Sequence, residues 1–257
     1  MKQEIYEKIT KKKEFSQLPK KDVELAWKKF EKRQTSENEK IKLTRDLLRK
    51  VFSVFTSKKL LNIKDKDLEW VLKKHLSTKE RFDYYNELYL KLFRDFNKEI
   101  VVFDLGAGVN GFSIDYLIKL KNKIKYIGVE SVGQLVSLMN YYFEKNNYNA
   151  FAIHESLYNI DNIKSVLKNE KKNKIVFLFK VIDSLEMIKR DYSKEFLNEI
   201  SPLCNRIVVS FATRSLVSKK RFNVKRNWII DFIKDNFNII NDFELGNERY
   251  IIFENKK

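Results

Sequence analysis

Glycine divides this chain. All six glycines, Gly106, Gly108, Gly111, Gly128, Gly133 and Gly246, lie after residue 100, and the first hundred residues hold a single proline, Pro19. A glycine-free stretch whose apolar side chains recur three and four residues apart reads as helix. Val23, Trp27 and Phe30 have that spacing, as do Leu47, Leu48, Val51, Phe52 and Phe55. Leu68, Val71 and Leu72 mark another helix, and Tyr85, Leu88, Leu92 and Phe93 a further one. Residues 1–95 are therefore expected to form an all-helical domain of four or five short helices.

Past residue 98 the pattern changes. Short β-branched and aromatic runs at Ile100–Leu105, Tyr126–Glu130, Ala150–His154, Ile175–Lys180 and Arg206–Phe211 alternate with helical stretches near 112–122, 132–145, 160–170 and 191–200. Alternating strands and helices imply a parallel sheet with right-handed crossovers. The chain closes with helix 225–236, strand 239–245, a Gly246-Asn247 turn and strand 250–254, a β-hairpin. Residues 96–257 thus read as a class I, Rossmann-like α/β domain with a terminal antiparallel hairpin, the arrangement of a methyltransferase. A dehydrogenase would continue with further βαβ units.

Between the first strand and its helix stands Asp104-Leu105-Gly106-Ala107-Gly108-Val109-Asn110-Gly111. Glycines at these positions let backbone approach a ligand, and the helix start that follows favours negative charge. Dinucleotide and S-adenosylmethionine sites both use such a loop. Glu130 ends the second strand 26 positions after Asp104, where an acid can accept both hydroxyls of a ribose. The remainder of the chain holds three more parallel strands and no catalytic His or Tyr-x-x-x-Lys arrangement at a fitting place for hydride transfer. S-adenosyl-L-methionine is therefore the expected cofactor.

Charge and rare residues narrow the class. The formal net charge is +17, with 27 basic and 17 acidic side chains in residues 1–100 and 25 and 18 in the rest. The excess is spread over both regions and fits a polyanionic partner or a Lys-, Asn- and Ile-rich composition, so position has to decide. One cysteine, Cys204, rules out an internal disulfide or cysteine-based metal cage, and it reads as a small buried side chain. His75 and His154 stand far apart, so no metal is expected, and His154 reads as structural. Residues 1–15 lack a secretory apolar core, and no run spans a bilayer. A soluble cytoplasmic protein is expected.

His75-Leu76-Ser77-Thr78-Lys79-Glu80-Arg81, ahead of the first strand, resembles the His-x-Ser-Thr-x-Glu-Arg signature of the aminoglycoside-resistance 16S rRNA methyltransferases. Four further segments resemble that family in order: Asp104–Asn110; Phe177-Leu178-Phe179-Lys180 with Leu185-Glu186; Val209-Ser210-Phe211 with Ser215-Leu216; and Gly246-Asn247-Glu248. The resemblance spans nearly the whole chain. It implies methyl transfer to guanine N7 in the decoding site of 16S rRNA within the 30S subunit, by a monomer that docks through its helical domain. It also implies that His75, Ser77 and Arg81 reach over the cofactor, Arg81 pairing with the methionine carboxylate. Gly106, Gly108 and Glu130 would hold methionine and ribose, Glu155 and Ser156 would lie beside the adenine, and Lys180, Val181 and Ile182 would close the site. Ser77 with Glu80 also reads as an N-cap and its capping-box partner.

N7 carries a lone pair and no proton, so no general base is expected. The loop from Ser210 to Phe222, with Arg214, Ser215, Lys219, Lys220 and Arg221 between Phe211 and Phe222, is the expected RNA- and base-binding element. Lys11–Lys13, Lys20-Lys21, Lys28-Lys29 and Lys32-Arg33 would dock on folded rRNA through phosphates. Three family prolines near the pocket are replaced by Gly111, Asp183 and Ala212, which leaves the modified base and atom open. A methyltransferase for tRNA, or an RNA-binding protein with a relict fold, are the alternatives.

Overall fold

Five parallel strands follow from the buried apolar runs. In the computed structural model, which describes residues 1–53, 59–62, 67–95, 99–120, 123–214 and 226–256, they are β1 (Ile100–Leu105), β2 (Ile124–Glu130), β3 (Ala150–His154), β4 (Asn173–Phe179) and β5 (Arg206–Ala212). Every residue of β1 is buried, because helices cover both faces of a parallel sheet. The hairpin also forms. β6 (Phe237–Leu245) and β7 (Glu248–Asn255) are antiparallel, and β7 runs antiparallel to β5. The single sheet has the order 3-2-1-4-5-7-6. This is the Rossmann-like fold of the S-adenosyl-L-methionine-dependent methyltransferases.

Among the described residues six α-helices, rather than the expected four or five, precede the sheet: α1 (Gln3–Thr10), α2 (Lys20–Glu31), α3 (Glu37–Leu48), α4 (Leu68–Lys74), α5 (Leu76–Arg81) and α6 (Tyr85–Phe93). A π-helical turn, Arg49–Ser53, extends α3. Among the described residues the helices that cross between or flank the strands are α7 (Ile114–Leu120), α8 (Gly133–Lys145), α9 (Ile160–Lys168), α10 (Ile182–Ile188), α11 (Tyr192–Ile200) and α12 (Asn227–Asn236). No helix among the described residues is long and apolar enough to cross a membrane. Phe55, a helical position by its spacing, lies outside the described residues.

Three local differences from the sequence expectations have physical causes. β4 stops at Phe179, and Lys180 turns into the left-handed region with φ of +60°. Its N–H donates to the Ser210 carbonyl at 3.2 Å and to Ser210 Oγ at 3.1 Å, which outweighs continuation of the strand. α10 follows at once, a seven-residue helix with no side-chain cap to announce it. α5 starts at Leu76, so His75 and not Ser77 is its N-cap residue, and the capping box does not form. Thr78 Oγ1 instead donates to the carbonyls of Leu72 and His75, at 2.6 and 3.0 Å.

Strand alternation divides the core between the two faces. Val102, Phe177, Val208 and Ile252 face a cluster that extends through Tyr85, Tyr89 and Leu92 to Phe15, Trp27 and Ile9. Val101, Phe103, Val176 and Leu178 face the other cluster, with Ile182, Phe196 and Ile233. The helical region is thus continuous with the first face. At its centre Phe177 stacks on Phe179, with centroids 4.6 Å apart, and on Tyr89 at 6.2 Å. Phe177→Ala should lower unfolding stability by about 3–5 kcal/mol in urea denaturation of the full chain.

Candidate active site

The carboxyl ends of β1, β2 and β4 open onto a cleft. Leu135 of α8 and Leu157 and Tyr158 of the loop after β3 form part of its wall, with four further parts of the chain. They are Val51 and Phe52 from the π-turn, His75, Ser77 and Arg81 around α5, the glycine loop with Asp104 and Glu130, and Lys180, Val181, Ser184 and Leu185 where β4 passes into α10.

The loop has to be glycine. Gly106 and Gly108 have φ of +78° and +57°. A Cβ on Gly106 would lie 2.7 Å from Val181 Cγ2, and one on Gly108 would lie 3.0 Å from the His75 ring. The loop is anchored by Gly106 and Ala107, whose N–H groups donate to the Val129 carbonyl at 2.8 and 3.1 Å. Gly111 packs tightly, since a Cβ there would meet Phe143 Cζ at 2.7 Å.

Two buried acids face the cleft. Glu130 accepts from the Gly108 and Val132 backbone N–H groups, each at 2.8 Å. Burial pushes its carboxyl up, and those two donors oppose the rise. Each oxygen keeps a lone pair for a further donor such as a ribose hydroxyl. Asp104 Oδ2 accepts from Asn110 Nδ2 and Tyr126 Oη, both at 2.7 Å. Burial raises this carboxyl too, against the pull of Tyr126, Asn110 and Arg81.

Opposite them stands a cation network. Arg81 is 3 % exposed. Its Nη1 donates to Asn110 Oδ1 at 2.6 Å, its Nε to Glu248 Oε2 at 3.2 Å, and its Nη2 to Ser77 Oγ. Phe179 lies under the guanidinium, 4.8 Å away. Lys180 Nζ pairs with Glu80 and lies 3.3 Å from Glu248 Oε2, and Ser210 Oγ donates to Glu248 Oε1. Burial alone would raise the Glu248 carboxyl, but Arg81 and Lys180 overcome it and hold the group below the usual carboxylate range. His75 is pushed down to about 3 by burial, then by Arg81 and Lys180, so it is a neutral imidazole near neutral pH.

His75, Ser77, Arg81, Gly106, Gly108, Glu130, Lys180 and Val181 therefore meet at one cleft. Glu155, Ser156 and Ile182 stand outside its lining. Glu155 accepts from Ser156 N, Asn159 Nδ2 and Asn162 Nδ2, organising the loop after β3. Ile182 is fully buried in the second core. Phe211 also differs from the expected stacking platform. It is 3 % exposed, under the Arg226 guanidinium, because β5 carries it inward. Arg214 is exposed, while Ser215, Lys219, Lys220 and Arg221 lie outside the described residues. Glu248, Asn110 and Asp104 were not among the expected site residues, although each stands in a quoted motif.

The helical region also reaches the loop after β3. Asp22 of α2 accepts from Ser156 Oγ at 2.6 Å, and Ser156 Oγ in turn accepts from Tyr158 N at 3.1 Å. Burial pushes the Asp22 carboxyl up to about 7; Ser156 and Ser131 oppose that shift, while Glu130 and Glu155 add to it.

A ligand suited to this cleft carries a flat apolar ring for Leu135, Leu157, Tyr158 and Leu185, a diol for Glu130, and an ammonium and carboxylate for Asp104 and Arg81. S-adenosyl-L-methionine has these groups. Fold and cleft together define a methyltransferase that uses this cofactor. Residues 38–228 match the family model described as ribosomal RNA methyltransferase (FmrO), and the chain belongs to that family. A comparison with curated proteins gives no match. In structure the chain is similar to the 16S rRNA methyltransferase RmtF, solved with S-adenosyl-L-homocysteine, at 18% identity over 100% of each chain with a TM-score of 0.78. It is similar to the 16S rRNA methylase RmtB at 17% identity over 98% of each chain, TM-score 0.75. It is also similar to an rRNA methylase from Escherichia coli at 17% identity, over 98% of this chain and 100% of that one, TM-score 0.75.

Two outcomes follow from this geometry. Glu248→Gln leaves Arg81 and Lys180 buried with too little negative charge and should cost about 3–5 kcal/mol in chemical denaturation. Folded Asp22 keeps its proton up to about pH 7, whereas in the unfolded chain it loses it near the ordinary 3.8. Between those values only the folded state holds the proton, so this group's contribution to stability falls as pH rises and levels off above 7. Asp22→Asn should therefore melt higher than the parent at pH 8 and close to it at pH 4, by thermal scans at both.

Proposed function

We propose that this rRNA methyltransferase methylates N7 of a guanine in the decoding site of 16S rRNA, acting as a cytoplasmic monomer on the assembled 30S subunit. The observation that carries the reading is that the His75–Arg81 segment is built into the cofactor cleft. His75 packs on Gly108, and Arg81 is hydrogen-bonded to Asn110 at 2.6 Å. This segment lies ahead of the first strand, and it is the part of the chain whose resemblance to the aminoglycoside-resistance enzymes is most specific.

When bound, S-adenosyl-L-methionine supplies an electrophilic sulfonium methyl. Glu130 holds the ribose, and Asp104 and Arg81 orient the methionine end through opposite charges. Val181 and the His75 ring press on the glycine loop and narrow the cleft. Guanine N7 offers its lone pair without losing a proton, so placement does the chemical work. A His75 pushed down to about 3 is no proton acceptor near neutrality, which suits an acceptor atom of this kind. Residues 1–95 serve as the rRNA-docking domain. Lys11, Lys12, Lys13, Lys20, Lys21, Lys28, Lys29, Lys32 and Arg33 are all exposed, as phosphate contact requires. Arg214, with Ser215, Lys219, Lys220 and Arg221 after it, would continue this contact to the target base. Methylation at this site would protect ribosomes from aminoglycosides.

Incubating 30S particles with labelled cofactor and mapping the modified base by mass spectrometry tests the reading. Label on a 16S guanine N7 is expected, and label on isolated tRNA with none on 30S would replace it with the tRNA alternative. Glu130→Ala removes charge-assisted hydrogen bonds of about 1.5–3 kcal/mol, so calorimetry should show cofactor affinity about 10- to 100-fold weaker.

A further inference from the structure

Two of the three positions where this chain departs from the family's prolines, Asp183 and Ala212, are held by one side chain. Arg226 Nε lies 3.1 Å from both oxygens of Asp183, and its Nη2 donates to Oδ2 at 2.7 Å. Its Nη1 donates to the Ala212 carbonyl at 2.9 Å, and its guanidinium covers the Phe211 ring at 5.4 Å. The Arg226 side chain is 9% exposed, and its own carbonyl accepts from Ile229 and Ile230 at the start of α12, each at 3.1 Å. One residue thus ties the first turn of α10, the end of β5 and the beginning of α12.

Of these elements α10 borders the cleft. Val181, Ser184 and Leu185 line it on either side of Asp183. Substrates of open α/β sheets bind beyond the carboxyl ends of the strands, where β4 and β5 finish here. A proline restrains backbone by fixing φ, and a bidentate arginine fork restrains the same backbone from outside by holding two segments in one plane. We propose that Arg226 is a positioning residue for the target base, replacing with one buried fork the restraint that two proline rings give the enzymes this chain resembles. Lysine cannot substitute, because a single ammonium reaches either the carboxylate or the carbonyl in fixed geometry but not both. The inference rests on the rRNA methyltransferase reading.

The test uses full-length Arg226→Ala and Arg226→Lys with saturating 30S particles and labelled cofactor. Single-turnover methyl transfer should slow about tenfold or more in both variants, while calorimetric cofactor affinity stays within twofold of the parent. Hydrogen exchange should rise at residues 182–186 and 210–213. Transfer within twofold of the parent, or a loss matched by an equal loss of cofactor affinity, overturns the proposal. A parent that binds cofactor but leaves 30S particles unlabelled overturns the rRNA reading itself.

Discussion

Glu248 sits on the last strand, yet its carboxylate meets Arg81 from the helical region, Lys180 from the end of β4 and Ser210 from β5. Two cations at this depth would repel one another and each would lose hydration. One carboxylate between them relieves both, and Glu80 takes the remaining charge of Lys180. Such a network gains little net stability over an apolar core, because desolvation offsets the attraction. What it sets is geometry. Arg81 faces the glycine loop because Glu248, Asn110 and Ser77 direct three of its N–H groups.

The rest of the cleft follows from that placement. With α5 pinned against β7, the His75 ring lies on Gly108, and the π-turn after α3 brings Val51 and Phe52 over the apolar end. Acids gather at Asp104 and Glu130, and cations at Arg81 and Lys180. Asp104 and Arg81 are joined through Asn110, so an acid and a cation stand side by side.

Much of this was legible beforehand. Among the described residues the five parallel strands and the hairpin stand within two residues of the bounds that apolar runs and the Gly246-Asn247 pair give, most plainly at β1, β4 and β5, whose buried residues are predominantly apolar. The glycine loop and Glu130 were legible for a similar reason, since few residues satisfy a left-handed turn or a buried acid at a strand end. The apolar run before Lys180 gives no sign of its left-handed turn, which depends on Ser210, a residue 30 positions away. Phe211 stands beside a basic loop in the sequence, yet the inward face of β5 buries it. Ser77 matched a capping pattern, but Arg81 claims its hydroxyl.

By itself the sequence determined the order of elements, the ligand-approaching loop and the family, because local periodicity and special backbone positions are encoded where they act. The tertiary structure alone decided which charges meet. Arg81 with Glu248, Lys180 with Glu80, Asp22 with Ser156 and Arg226 with Asp183 are pairs 43 to 167 residues apart. Their partnership depends on strand register and helix docking, which packing of the whole core sets and no local pattern records.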